Sequence, residues 1–356
     1  MYLQERIRMD DLGTLRDRIR DIDSRIIQLL AERNNTAKAI GGLKKEKNIP
    51  LRNRAVEEEV LKHYITEAEN ASFPKDAAER VCKALISCSV ETQSLILRKK
   101  CEKNVSVIGG NGKMGKWMRS YFESLGSNVN IVDVSVGKMD DVKDSDIVVI
   151  SVPISSVAGV IRDADRICKK DALIFDIASI KSPFITELRK IAERRKVCSV
   201  HPMFGPSAMS MADRNVMVCH CGSDEAVAEA KEIFSNDDVT PLIVNVERHD
   251  ELMAYSMSFA HAANITFFTV LKNSGIPIGD LKDAGSTTFL NTLGTSVPVS
   301  RENASLYREI QYLNDHAGNM WEVYEASLLE VKDAALSDDP KEFERIMERG
   351  KEYLTE

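Results

Sequence analysis

The period of the apolar positions changes near residue 100, and the change divides the chain. From Leu15 the spacing is helical: Leu15, Ile19, Ile22, Ile26, Leu29 and Leu30 share one face, with Asp10 or Asp11 placed to cap the start. At about 100° per residue that face continues through Arg33, Ala37, Ile40 and Lys44. Two cations then lie where burial is expected. Either an anion meets them, or they pair with buried glutamates or snorkel outward. Arg16 sits about a quarter turn off the face and points to a different neighbour. A second helix is expected from about Asn53 to Asn70. A third should run from a Ser72 cap, with Pro74 in its first turn, to about Arg98. On it Ser89 and Gln93 flank the stripe made by Val81, Leu85, Thr92 and Ile96.

Beyond the charged junction Arg98–Lys103, short apolar runs alternate with helical stretches, the pattern of a parallel sheet with crossovers. Strands are expected at Val105 to Ile108, Val129 to Val132, Ile147 to Val152, Leu173 to Phe175, Val197 to Val200, Val216 to Val218 and Leu242 to Val244. The first runs into Gly-Gly-Asn-Gly-Lys-Met-Gly, where Gly110, Gly112 and Gly115 fit G-x-G-x-x-G. These glycines serve a tight turn, a close approach to a pyrophosphate and tight helix–strand packing; Lys113 and Met114 open the helix whose free N–H groups would face the phosphates. Asp133, about twenty residues on, is placed to accept from a ribose 2′-hydroxyl. It would repel a 2′-phosphate, so NAD is expected over NADP. The alternative is a glycine turn without a ligand.

Polar residues gather past the carboxyl ends of later strands, where open α/β sheets bind ligands. They are Ser151 to Pro153, Asp176 to Lys181 (which includes Ser179) and His201 to Pro206. His201 is followed by a loop stiffened by two prolines, and a histidine's ordinary pKa suits proton transfer near neutrality. A satisfied structural histidine is the competing reading. The last hundred residues read as helices: Arg248 to Lys272, a long one from after Glu302 to about Lys332, and a last one with Asp339 as cap, Pro340 at N1 and Glu342 at N3.

A length of 356 residues suits two or three domains, and 43% hydrophobic residues suffice for packed cores. A net charge of −7 argues against a nucleic-acid surface, and no apolar run approaches the roughly 18 residues of a membrane span. Glu5, Arg6 and Arg8 break any signal-peptide core, so a cytoplasmic enzyme is expected. The seven scattered cysteines read as reduced thiols, and Cys219 with Cys221 as a strand pair rather than a metal site; no metal is expected. The fold class is multidomain: an all-α three-helix domain over residues 1–100, an α/β Rossmann-type domain over 104–246 and an all-α C-terminal domain over 247–356.

Residues 10–100 resemble the all-helical chorismate mutase family, through Leu15-Arg16, Leu30-Ala31-Glu32-Arg33, Lys44, Pro50, Glu57 and Ser89-Val90-Glu91-Thr92-Gln93. The resemblance implies three helices per chain interlaced in a homodimer. Arg33, and Arg16 reaching into the partner's site, would clamp the two carboxylates of chorismate. Lys44 and Gln93 would donate to its ether oxygen, and Glu57 and Ser89 would make further substrate contacts. One departure stands out. The family usually has arginine before the glutamate, and this chain has Val56, with Arg52 or Arg54 available in the same loop.

From about Asn104 the chain resembles prephenate dehydrogenase, in particular the bifunctional chorismate mutase–prephenate dehydrogenases. The carrying strings are Ser151-Val-Pro-Ile, Asp176-Ile-Ala-Ser-Ile-Lys181, His201-Pro-Met-Phe-Gly-Pro206 and His249-Asp250. His201 is then expected to take the proton of the prephenate 4-hydroxyl, oriented with Ser179's help, as hydride passes to NAD and CO₂ is lost. The C-terminal region would form the dimer. The arginine that binds a prephenate carboxylate in the family is missing at Phe289-Leu290, leaving Arg301, Arg308 or Lys282 to supply the charge. A bifunctional enzyme of tyrosine biosynthesis leads. The alternatives are a dehydrogenase of a related carboxylate such as arogenate with a weak mutase domain, and a ligand-sensing pseudoenzyme.

Overall fold

The computed structural model describes residues 12–355; the expected cap at Asp10 or Asp11 lies outside them. Helices α1 (Leu12–Glu46), α2 (Arg54–Asn70) and α3 (Lys75–Leu97) come first. Both α1 and α2 pack on α3. A Cβ at Gly41 would sit 3.2 Å from Ile96 Cδ1 and 3.3 Å from Gln93 Cα, so this glycine sets how closely α1 crosses α3. Asn53 caps α2 through Val56 N, where the spacing places a helix start. Ser72 does not cap α3. It is left-handed (φ 56°) and its N–H bonds Glu69 O, so it closes the C-terminus of α2, and α3 starts after Pro74 with no side-chain cap. The stripe expected to be buried on α1 is largely exposed within one chain, Ile19 at 58% and Leu29 at 62%. Three helices in this open arrangement cannot cover it themselves.

The α/β domain holds one seven-stranded sheet in the order β2-β1-β3-β4-β5-β6-β7, from β1 (Asn104–Ile108), β2 (Asn128–Val132), β3 (Ile147–Ile150), β4 (Leu173–Asp176), β5 (Val197–Pro202), β6 (Val216–His220) and β7 (Leu242–Asn245). All seven expected strands form, within two residues of the expected ends. The sheet is not wholly parallel: β6 runs antiparallel to β5, with Val200 opposite Val218. The link between them, Met203 to Asn215, contains no crossover helix, and without one the chain returns in the opposite direction. Both faces are covered. Ile108, Val148 and Ile174 pack under α5 (Ile154–Ile167) and α6 (Ile185–Ala192). Val107, Val149 and Phe175 pack under α4 (Lys113–Ser124) and α7 (Asp224–Phe234). Double burial is why these strands read as unbroken apolar runs. Between β2 and β3 there is only a short 3₁₀ turn, Met139–Val142.

The remaining helices are α8 (Val246–Met253), α9 (Ala260–Asn273), α10 (Ile278–Asp283), α11 (Thr287–Ser300), α12 (Ala304–Tyr312), α13 (Ala317–Ala335) and α14 (Lys341–Thr355). The expected helix up to Lys272 forms as α8 and α9 joined by a π-helical stretch, Ala254–Phe259. The long helix expected after Glu302 is broken into α12 and α13. Asn314 breaks it, accepting from His316 N and donating to Asp250 O. Asp339 bonds Lys341 N at the start of α14, as its spacing suggests. Among the described residues no helix is long and apolar enough to cross a membrane.

Candidate active sites

The helical domain encloses a cavity of about 430 Å³ lined by Arg33, Lys44, Glu57, Ser89 and Gln93, with apolar walls from Ala37, Ile40, Leu51 and Val90. Five of the six expected mutase residues therefore converge from three helices. The sixth, Arg16, is exposed on α1 and takes no part in this cavity. Arg33 donates to Leu85 O at 2.8 Å and to Ser89 Oγ. Lys44 Nζ donates to Leu51 O. Burial lowers the Lys44 pKa, with Glu57 and Asp238 acting against that. Gln93 is buried and its Oε1 has no hydrogen-bond partner. Two cations satisfied only by neutral acceptors suit an anionic guest, and the unpaired amide oxygen calls for a donor on that guest. Val56 lines the cavity; Arg52 and Arg54 do not, and face an outer cleft with Glu57 and Lys83.

In the α/β domain the glycine turn joins β1 to α4, where the strand order switches between β1 and β3. Gly109 has φ 78°, and a Cβ there would meet Ser151 O at 2.2 Å. A Cβ on Gly115 would meet Gly109 O at 2.3 Å, and one on Gly112 would approach the same oxygen at 3.2 Å. The turn is thus held against Ser151 and closed by glycines. Lys113 and Met114 open α4, Pro153 precedes α5, and Gly110 is buried over Ile131. Asp133 Oδ2 accepts from Asn111 N at 3.0 Å and Oδ1 from Val134 N at 2.8 Å, which fixes the carboxylate beside the turn. These residues fit a dinucleotide: a helix N-terminus free of side chains, with an acid at the ribose position.

Across the sheet, the carboxyl ends of β4 and β5 carry the expected reactive residues, with β5 three strand spacings from β1, roughly 14 Å. Lys181 is fully buried and donates to Asp176 Oδ1 at 2.8 Å, Ala178 O and Val200 O. This closes the 176–181 loop and leaves Ser179 half-exposed on it. His201 lies within β5, at its end and buried, rather than just beyond the strand. Its Nδ1 is 2.9 Å from His249 Nε2, and His249 Nδ1 is 2.6 Å from Asp250 Oδ1. Asp250 also accepts from the N–H groups of Lys181 and Ser182 and from the Ser182 hydroxyl. Burial, then His249 and Lys181, hold the His201 pKa well below the ordinary histidine range. Asp250's carboxyl is held low by His249 and Ser182 against its burial.

His249 and Asp250 were legible only as part of a family string; spacing gave them no role. A His-Asp pair opening the helix after the last strand is the signal that marks them. Leu290 lies on α11, 44% exposed, and Lys282, Arg301 and Arg308 are exposed, with Arg308 stacked over Tyr312 at 4.6 Å.

The two sites define a class: a dinucleotide-binding dehydrogenase whose N-terminal helices carry a separate anion pocket. A chorismate mutase type II model matches residues 15–94, and a prephenate dehydrogenase nucleotide-binding domain model matches 94–239. The chain is 24% identical over 276 residues to a probable arogenate/prephenate dehydrogenase of Methanocaldococcus jannaschii, covering 72% of this chain and 62% of that one. It is 24% identical to the T-protein of Haemophilus influenzae, covering 85% and 81%. Residues over 72% of the chain superpose on 99% of a prephenate dehydrogenase from A. aeolicus, solved with hydroxyphenyl propionate and NAD+, at TM-score 0.60 and 17% identity. The chain thus carries a chorismate mutase type II domain followed by a prephenate dehydrogenase nucleotide-binding domain, and with its T-protein relatives this supports a bifunctional chorismate mutase/prephenate dehydrogenase of tyrosine biosynthesis.

Proposed function

We propose that each reaction is carried by the residues that converge at its site. In the helical cavity, Arg33 binds a carboxylate of chorismate, and Lys44 and Gln93 donate to the ether oxygen. Glu57 and Ser89 contact the rest of the substrate. The rearrangement transfers no proton, so holding the dicarboxylate in a compact shape and aiming positive charge at the breaking C–O bond is the whole task. Arg16 completes the site of a second copy, which makes the enzyme a homodimer. The exposed stripe of α1 supports this, since an uncovered apolar face of that length is an association surface.

In the cleft, NAD is the cofactor, held by Gly110, Gly112, Lys113, Met114, Gly115, Asp133, Ser151 and Pro153, and it supplies the hydride acceptor. Asp250, anionic and fixed by Lys181 N and Ser182, accepts from His249 Nδ1–H. His249 Nε2 is then unprotonated and accepts from His201 Nδ1–H. This leaves the lone pair of His201 Nε2 for the 4-hydroxyl of prephenate, with Ser179 orienting that hydroxyl. His201 takes the proton as the carbinol carbon gives up its hydride and CO₂ leaves. His249 and Asp250 select the tautomer of the base; they are positioning residues. Seven unpaired thiols support a reducing, cytoplasmic setting.

The observation that carries this reading is the unbroken His201–His249–Asp250 line at the carboxyl end of β5, in a chain whose helical cavity gathers five polar groups suited to chorismate. Purified protein given chorismate and NAD⁺ should form NADH, monitored by absorbance. Chorismate loss without NADH would disprove the dehydrogenase half. NADH formation from prephenate but not chorismate would disprove the mutase half.

A further inference from the structure

The segment that follows His201 does not stay in the dehydrogenase. Phe204 packs edge-on against Trp117 at 4.9 Å, and Trp117 donates to Ala208 O at 2.7 Å. Met211 N donates to Asp237, itself paired with buried Arg98 at the end of the helical domain. The next three residues then cross onto the mutase. Ala212, 2% exposed, packs with Leu51 and Val90, both of which line the mutase cavity. Arg214 bonds Glu91 at 3.1 Å. Asp213, at φ 59°, takes Arg52 at 2.8 Å, and Arg52 Nε lies 3.5 Å from Glu57 Oε1.

Glu57 stands on a partition. It lines the mutase cavity on one side and, on the other, the outer cleft that also holds Arg52, Arg54, Lys83 and Asp213. Arg52 reaches it from the outer side through Oε1, so Oε2 is the oxygen left for the cavity. A guanidinium with no competing partner closes on a carboxylate through two parallel hydrogen bonds. Here Asp213 occupies Arg52 and prevents that.

We propose that Asp213 of the dehydrogenase domain is a positioning residue for the mutase reaction: by sharing Arg52 with Glu57 it keeps the Glu57 carboxylate turned into the chorismate cavity. This rests on the reading of that cavity as the chorismate site. It accounts for a chain that has a valine at position 56 and places the arginines of that loop, Arg52 and Arg54, outside the cavity. The mutase pocket is thus finished by the loop that leaves the dehydrogenase base.

The test is steady-state kinetics of the full-length protein with each substrate. Asp213→Asn keeps the left-handed backbone tolerable, since asparagine adopts it as readily as aspartate. It should raise KM for chorismate about fivefold, the size of a partly exposed ion pair, with kcat much less affected. KM for prephenate and the melting temperature should stay at wild type. Because Asp213 acts through Arg52, the same substitution in an Arg52→Gln background should add nothing. An unchanged KM for chorismate overturns the proposal. So does an equal loss in both activities, or an effect that persists in full without Arg52. A wild-type protein that fails to consume chorismate would instead remove the reading of the cavity itself.

Discussion

The mutase cavity leaves its cations on neutral acceptors: Arg33 rests on Leu85 O and the Ser89 hydroxyl, and Lys44 on Leu51 O. The dehydrogenase cleft does the opposite. Its buried lysine, Lys181, is paired with Asp176 and two carbonyls, and its aspartate, Asp250, is spent on His249 and two main-chain N–H groups. The contrast follows from the chemistry each must do. A pericyclic rearrangement of a dianion needs positive charge left available for the guest. Proton abstraction needs one neutral base, with every other charge around it already balanced so that the base stays neutral. The sites also differ in completeness. His201 and its supports come from one chain, whereas Arg16 takes no part in the cavity of its own chain.

The sharpest way to break this contrast is His201→Asn. The family resemblance puts the base there, and the geometry leaves Nε2 free. NADH formation from prephenate should fall by about 10²–10⁴-fold, the usual worth of a general base, with chorismate consumption near wild type. A variant keeping more than about a tenth of turnover would show that His201 is not the base.

The completeness of each site can be tested by mixing chains. Arg16 and Arg33 are 17 residues apart on one helix, roughly 25 Å at 1.5 Å per residue, so they cannot meet at one small dicarboxylate. Arg16→Ala and Arg33→Ala chains should each lose about 2–5 kcal/mol of transition-state binding. Co-refolded, they should form hybrid dimers in which one site lacks both arginines and the other lacks neither, and mutase activity should reappear. Hybrids that form but stay inactive would contradict a shared site.

What the residues disclosed in advance follows the same division. Strands and glycine turn were legible because double burial and dihedral demand leave few residue choices: unbroken Val/Ile runs, and glycines where a Cβ would strike Ser151 O or Gly109 O. In the mutase cavity Arg33 and Lys44 were legible as cations on an apolar face, whereas Glu57 was legible only through the family resemblance. The direction of β6 was not, because a strand's residues carry no sign of polarity; only the missing crossover helix before it did. Nor was the burial of α1, since a stripe that needs a partner reads like one that does not. His249 escaped spacing altogether, because it acts on another side chain 48 positions away.

The two sites should also fail at opposite ends of the pH scale. The base proposed here, His201, must be neutral to act, and its pKa is held below the ordinary 6.5, so it remains neutral as pH falls past that value. The acid limb of kcat/KM for prephenate should therefore lie below pH 6.5, about tenfold per unit beyond it. The proposed donor Lys44 must be charged to act, and burial lowers its pKa from 10.5, so the mutase should lose activity on the alkaline side, below the usual lysine range. Profiles of both activities over one pH series measure this. A dehydrogenase limb at or above 6.5 would mean that His201 is not shielded as its burial indicates.

The smallest effect expected is at Asp133, the residue proposed to choose the cofactor. Its two oxygens are held by Asn111 N and Val134 N, so the carboxylate is fixed in place whether or not a ribose is present. A ribose 2′-hydroxyl can donate to such a group. A 2′-phosphate meets a like charge there, a repulsion of about 1–3 kcal/mol at effective dielectric constants suited to a half-exposed site. NAD should therefore exceed NADP in kcat/KM by about tenfold or more. Asp133→Ser should narrow that ratio from both sides, weakening NAD by removing the acceptor and admitting NADP by removing the charge. Asp133→Asn separates the two, because it keeps an oxygen for Asn111 N while cancelling the charge. If charge is what discriminates, the asparagine variant should gain most of the NADP activity while retaining more NAD activity than the serine variant. Equal turnover of both cofactors by the wild type would remove Asp133 from the role, as would a preference that neither substitution moves.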